Sequence, residues 1–162
     1  MTRQAYLLLG SNQGDSSEML RKAIQQIHEH LGPVLKASSV YKTAPWKMES
    51  DQWFLNQVLC VEINKSATQV LETTLTVEAS LGRIRNESNT YQSRNIDIDI
   101  LYIDNEIVNS EVLTLPHPRL HERRFTLEPL SEIASDFVHP LLHNTNAQLL
   151  KNCRDQNEVY KL

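Results

Sequence analysis

The chain has 162 residues, with 16 basic and 20 acidic side chains and a formal net charge of −4. Hydrophobic residues make up 40% and charged ones 22%, with only four Gly and six Pro, which excludes collagen, low-complexity disorder and repeat arrays. No basic surplus recommends nucleic acid or an anionic membrane as partner, and two distant cysteines, Cys60 and Cys153, exclude a zinc ribbon or a disulfide framework.

In chain order, Ala5–Leu9 is a short apolar run ending in Gly10-Ser11-Asn12-Gln13-Gly14, which predicts a strand followed by a loop. Asp15 with Glu18 marks a helix start, and Leu20, Ala23, Ile24, Ile27 and Leu31 keep helical spacing until Gly32-Pro33 stops it. Val34–Lys42 predicts a strand and Thr43–Trp53 a Pro-containing loop. Alternation from Phe54 to Ile63 predicts a second long strand. Ser66 with Gln69 caps another helix, whose Val70, Thr74, Val77 and Leu81 share a face until Gly82. Ile96–Ile103 has strict period two, and Asp104-Asn105 turns it toward Ile107-Val108. Pro129–Ala134 and Ala147–Asn152 predict short helices, the latter capped by Thr145 with Gln148.

The order is β-α-β-β-α-β plus a hairpin and C-terminal helices. It predicts an α+β fold with a ferredoxin-like split βαβ core, an antiparallel sheet with helices on one face. The length suits one domain over residues 1–162. The apolar run at the N-terminus is too short for a signal peptide and nothing approaches a membrane span, so a cytoplasmic protein is expected. No apolar stripe is left over once the core is assigned, and the expected state is a monomer.

The sharpest chemical feature is Arg94-Asn95-Ile96-Asp97-Ile98-Asp99-Ile100-Leu101. On a strand, Asp97 and Asp99 point to one side with Cα atoms about 6.5–7 Å apart, while Ile96, Ile98 and Ile100 point into the core. Asp is depleted in strands, and two carboxylates on one face repel unless something positive lies between them. Hard cations such as Mg²⁺ select oxygen ligands, so the pair is a candidate metal site; a solvated sheet face is the alternative reading. Six of the nine arginines (Arg83, Arg85, Arg94, Arg119, Arg123 and Arg124) fall between positions 83 and 124, a stretch with seven acids and no lysine. Guanidinium forks match phosphate oxygens, and arginines on both sides of an Asp pair suggest a polyphosphate held between Mg²⁺ and guanidiniums. No GxxxxGK[ST] loop and no HRD or DFG set occurs, so neither a P-loop enzyme nor a protein kinase is indicated.

His117, between Pro116 and Pro118, sits in a rigid extended loop and is a candidate phosphate donor, though a lone loop histidine is more often structural. Tyr41, Trp46, Trp53, Phe54 and Phe125 are half of the ten aromatic residues. Asn56 shares a strand face with Phe54, and an amide beside an aromatic plane suits a flat heterocycle.

With these residues placed, the chain resembles the 6-hydroxymethyl-7,8-dihydropterin pyrophosphokinase family over nearly its whole length. The matches are Leu9-Gly10-Ser11-Asn12, Ser38 through Trp46, Phe54-Leu55-Asn56, Glu78 before Leu81-Gly82-Arg83-Ile84-Arg85, Arg94 through Leu101, Leu115-Pro116-His117-Pro118-Arg119, and Arg123 with Phe125. The resemblance implies Mg²⁺-dependent transfer of the β,γ-pyrophosphate of ATP to the pterin hydroxymethyl group, releasing AMP, in folate biosynthesis. It implies that Asp97 and Asp99 ligate two Mg²⁺ bound with ATP, and that Arg83 and Arg94 are catalytic and close over the site. Arg83, Arg85, Arg94, Ile100, Thr114, His117 and Arg123 would bind ATP. Thr43, Ala44, Trp46, Phe54, Asn56, Tyr91, Asp97 and Phe125 would bind the pterin, with Phe54 and Phe125 on its two faces.

Two other classes share features with this sequence. A ferredoxin-like RNA-binding module needs stacking aromatics exposed on the sheet in basic surroundings, whereas this chain is acidic. A nucleotidyl transferase or cyclase could use the same carboxylate pair and would release pyrophosphate instead of AMP.

Overall fold

A computed structural model describes residues 2–12, 15–44, 53–82 and 96–162. The chain runs β1 (Arg3–Ser11), α1 (Ser16–His30), β2 (Val34–Ala37), β3 (Tyr41–Thr43), β4 (Phe54–Ile63), α2 (Ala67–Ser80), β5 (Asp97–Ile103), β6 (Val108–Asn109), β7 (Thr114–Leu115), α3 (Arg124–Ala134), α4 (Asn146–Lys151) and β8 (Val159–Lys161). The main sheet has the order β5-β1-β4-β3-β8, with β2 also on β4, and every pairing is antiparallel. This is the split βαβ arrangement expected from the element order; β6 and β7 form the separate hairpin.

The starts of α1, α2 and α4 follow local chemistry. The Asp15 carboxylate accepts the Glu18 N–H at 3.1 Å. Ser66 with Gln69 and Thr145 with Gln148 each form a reciprocal capping box, satisfying donors that a helix N-terminus leaves unpaired. Just beyond α2, Gly82 takes φ 120°, a conformation that costs glycine little.

The predicted strand Val34–Lys42 is broken in two. Ser38 supplies the reason: its hydroxyl accepts the Val58 N–H at 2.9 Å, substituting for a backbone acceptor, while the Ser38 N–H donates to the Val58 carbonyl at 2.8 Å. The chain bends there and rejoins β4 as β3, closer to the site. A second correction concerns Gly10, expected in a loop but lying inside β1, which continues through Ser11.

Both faces of the sheet are covered, beyond the single helical layer anticipated. On the first face, Leu7, Leu9, Leu59, Val61, Ile98, Ile100 and Ile103 pack against Leu20 and Ile27 of α1 and Val70 and Val77 of α2. On the second, Tyr6, Leu8, Val58, Cys60, Leu101 and Tyr102 pack under Leu127 and Leu130 of α3 and Leu149 of α4. A bulge arranges this. Tyr6 pairs with Tyr102 but Leu7 pairs with Ile100, leaving Leu101 as the extra residue, so Leu101 and Tyr102 both serve the second core while Ile103 returns to the first. Tyr6 and Tyr102 are buried beneath helices, so these two sheet aromatics are not the exposed stacking residues an RNA-binding module uses.

The α3 side also buries His139, at 3% exposure, with its Nδ1 accepting the N–H groups of Leu141 and Leu142 at 3.1 and 3.0 Å. Burial, aided by His121 and His143 nearby, pushes its pKa down from 6.5 to about 4. The unfolded chain therefore binds the extra proton first, and stability falls as pH drops from about 6.5 toward about 4. Between pH 7 and pH 5 this group alone should cost about 2 kcal/mol, read as a drop in urea midpoint that His139→Asn removes.

Candidate active site

The second face of the sheet narrows to polar residues at one end, and strand register places them in rows. Gly10 of β1 is the centre, pairing with Asp97 on one side and Asn56 on the other, while Asn56 pairs onward with Tyr41. In the next row Leu8 pairs with Asp99 and Val58; beyond Asn56, Thr43 pairs with Phe54. Paired residues of antiparallel strands project to the same face, so two carboxylates, an amide and a phenyl ring share one surface by backbone geometry alone.

That surface floors a cavity of about 210 Å³. Its lining includes Leu8, Gly10, Thr43, Ala44, Phe54, Asn56, Asp97 and Asp99 from the sheet side. Arg123 and Phe125, at the start of α3, close it from above, with the Arg123 guanidinium 5.6 Å from the Phe125 ring centre. Eight of the residues anticipated for pterin, ATP or metal thus converge: Thr43, Ala44, Phe54, Asn56, Asp97, Asp99, Arg123 and Phe125.

Asn56 is almost fully buried and its amide is held at both ends: Thr43 Oγ1 donates to Oδ1 at 3.4 Å, and Nδ2 donates to the Leu9 carbonyl at 3.4 Å. A Cβ at position 10 would stand 2.9 Å from Asn56 Nδ2, so glycine is what leaves the amide in place. For the pterin expected from the sequence, Gly10→Ala, by displacing the amide, should raise KM about tenfold, the cost of roughly one good hydrogen bond, with the fold retained. Steady-state kinetics with a melting curve checks this; an unchanged pterin KM would count against the role of Asn56.

Beneath the Asp pair, Glu78 in the last turn of α2 is buried and accepts the Ile98 N–H through Oε2 at 2.7 Å. It grips the strand between Asp97 and Asp99, so the helix sets the height of the pair. The sequence motif contained Glu78 but nothing in it disclosed this bond.

His117 lies alongside. Its N–H donates to the Leu101 carbonyl at 3.0 Å, and its Nδ1 accepts the Arg119 N–H at 3.1 Å, which leaves the imidazole proton on Nε2. Burial holds its pKa below the ordinary value; the Asp99 carboxylate opposes this, and Arg123 and Arg119 reinforce it. A neutral Nε2–H donor near Asp99 suits a phosphate oxygen.

Other anticipated residues do not meet at the cavity. The Ile100 side chain belongs to the first-face core, opposite the Asp pair, and Thr114 lies in the β6–β7 hairpin. Trp53 packs at a tilt against Tyr160, with ring centres 5.9 Å apart and Lys42 Nζ 4.6 Å from its ring. Trp46, Arg83, Arg85, Tyr91 and Arg94 lie outside the described residues. One lining residue, Asn157, was not anticipated.

Whether the donors suit Mg²⁺ follows from their number and type. Among the described residues, no group of three or more His, Cys, Asp and Glu side chains converges as a metal site. Two carboxylates on one strand face are hard oxygen donors too few to cage an ion. Mg²⁺ is commonly bound in that way, by one or two carboxylates with phosphate oxygens and water completing six ligands. The residues fit.

A family profile described as 7,8-dihydro-6-hydroxymethylpterin-pyrophosphokinase matches residues 6–135. The chain belongs to this family. Among curated relatives, the 2-amino-4-hydroxy-6-hydroxymethyldihydropteridine pyrophosphokinase of Methylorubrum extorquens is 42% identical over 139 residues, 85% of this chain and 86% of the relative. The Bacillus subtilis protein of the same name is 40% identical over 134 residues, 82% and 79% of the two chains. Among solved structures, wild-type Plasmodium falciparum HPPK-DHPS superposes with a TM-score of 0.75 at 16% identity, covering 93% of this chain and 44% of that one. This chain therefore spans less than half of that two-part protein, and the likeness to it concerns the fold. The cavity residues from Leu8 to Phe125 all fall within the family match, whereas Asn157 lies beyond it.

Proposed function

We propose that the chain transfers the β,γ-pyrophosphate of ATP to the hydroxymethyl group of 6-hydroxymethyl-7,8-dihydropterin, giving AMP and the pterin diphosphate, a step in folate synthesis. The observation that carries this reading is the junction of two chemistries in one cavity, with Phe54, Phe125 and Asn56 on one side and Asp97 and Asp99 on the other.

Phe54 and Phe125 offer ring faces to the pterin, while Asn56 and the Thr43–Ala44 segment read its edge. Asp97, in the row shared by Gly10 and Asn56, accepts a hydrogen bond from the substrate hydroxyl and polarises it. That oxygen gives its proton to the Asp97 carboxylate and bonds to the β-phosphorus as the bond from the β-phosphorus to the α-side bridging oxygen breaks, and AMP leaves with the bridging oxygen. Two Mg²⁺ held by Asp97 and Asp99 would supply charge neutralisation and alignment of the triphosphate when bound. His117 Nε2–H and Arg123 donate to phosphate oxygens, and Arg83, Arg85 and Arg94 complete the guanidinium set that the family resemblance assigns; the resemblance also assigns Thr114 and Ile100 to ATP, Ile100 through its backbone, because its side chain is in the first-face core.

The proposal includes one domain over residues 1–162, a monomer, in the cytoplasm. No helix among the described residues is long and apolar enough to cross a membrane. The deciding experiment incubates the protein with ATP, Mg²⁺ and the hydroxymethyl-dihydropterin and resolves the nucleotide products. AMP in step with pterin diphosphate is the expected outcome. ADP would indicate γ-transfer, and free pyrophosphate a nucleotidyl transferase or cyclase; either overturns the reading.

A further inference from the structure

The cavity has a wall that the family profile does not reach. The match ends at residue 135, yet Asn157 lines the cavity together with Arg123 and Phe125. After α4 the chain turns back across the start of α3, where the Asp155 carboxylate joins two segments. Its Oδ2 accepts the Arg124 N–H at 3.0 Å, its Oδ1 accepts the Asn157 N–H at 2.9 Å, and its carbonyl accepts from Arg124 Nε at 3.0 Å. The helix needs this bond, since its own N-cap residue, Arg123, makes no side-chain cap. An acceptor and a negative charge at a helix N-terminus are both stabilising, and here they come from 31 residues away. Further on, β8 pairs with β3, whose end supplies Thr43 and Ala44. The segment from Asp155 to Lys161 thus ties the α3 side of the cavity to the β3 side.

We infer that Asn157 is a specificity-determining residue for the pterin and that Asp155 is its positioning residue, with one carboxylate setting both Asn157 and the Arg123–Phe125 turn. This rests on the reading that the cavity takes the pterin. The lining is largely apolar, and a flat heterocycle in such a slot is oriented by a few directional polar groups. An amide presents a donor and an acceptor together, matching the alternating donors and acceptors along a pterin edge. Asn56 supplies one such group at the buried end; Asn157, exposed to solvent, supplies the second at the rim.

The test titrates hydroxymethyl-dihydropterin into the full chain by fluorescence, with KM values for both substrates and melting curves, for wild type, Asn157→Ala, Asp155→Ala and Asp155→Asn. Asn157→Ala should raise the pterin Kd and KM about five- to tenfold, the loss of one or two ligand hydrogen bonds, with little change in the ATP KM. Asp155→Ala should move the pterin KM in the same direction and further. Asp155→Asn, which keeps one carbonyl acceptor, should fall between. A wild-type pterin Kd in Asn157→Ala overturns the inference, as does a wild-type pterin Kd in Asp155→Ala protein that still folds. Should Asp155→Ala not fold, Asn157→Ala decides alone, because its exposed side chain takes no part in the core. Wild-type protein that fails to bind the pterin sinks the functional reading itself; wild-type binding with an unaffected Asn157→Ala sinks this inference only.

Discussion

Asp97→Asn and Asp99→Asn should each lower kcat by about 10²–10³-fold or more while the protein still folds. Each change is nearly isosteric and removes one negative charge from a pair that shares a strand face, where the alternating Ile96, Ile98 and Ile100 are buried on the opposite side. The core therefore does not feel the substitution, and the melting curve should stay close to that of the wild type. In the proposed site one of two hard oxygen donors is lost, and with so few protein donors the loss would fall directly on metal and triphosphate binding. Raising Mg²⁺ should recover part of the Asp99→Asn deficit and less of the Asp97→Asn one, because Asp97 is also the residue proposed to accept from the substrate hydroxyl. Turnover near wild type in either variant, measured as AMP release, would remove the metal assignment.

The largest expected effect on stability is at a residue far from the chemistry. Gly32→Ala should destabilise the fold by about 3 kcal/mol, seen as a lower urea midpoint with an unchanged slope. An added Cβ would lie 1.9 Å from the Glu62 carbonyl oxygen and 3.1 Å from its carbon. That neighbour is backbone of β4, fixed between β1 and β2, and it cannot give way as a flexible side chain would. The same approach lets the Glu62 N–H donate to the Pro33 carbonyl at 2.9 Å, so displacement also strains a bond joining the α1–β2 turn to the central strand. A variant with wild-type stability would show that this turn can shift away from β4 at little cost.

Glycine 32 shows how sequence and structure divide the information. As a helix stop it was legible, since Gly-Pro after an apolar periodic stretch ends a helix. Its close contact with Glu62 was not, because that contact joins positions 30 residues apart that only folding brings together. The Asp pair was likewise legible: period two on a strand puts alternate residues on one face, whatever surrounds it. Asn56 beside Phe54 follows from the same rule. Glu78 bonding Ile98, the bulge at Leu101 and the second helical layer are long-range events with no local signature.

The start of α3 has no local signal. The sequence predicts a helix from Pro129, but the observed one begins at Arg124, because its cap is Asp155 and not a neighbouring Ser, Thr, Asp or Asn. Strand β8 was missed too: three residues are too few for an alternation signal, and pairing with β3 defines them.

By itself, then, the sequence determined what short-range periodicity and local capping can encode: the order of strands and helices, the face of each that is apolar, and the acidic pair with its neighbouring aromatic and amide. Only the tertiary structure decided how those faces meet in one cavity, which buried carboxylate holds the acidic strand, and that a returning C-terminal segment walls the site. The physical reason is range. Side-chain alternation and caps act over a few residues of backbone geometry, whereas a cavity wall or a distant cap exists only after hydrophobic burial on both sides of the sheet has set remote segments side by side.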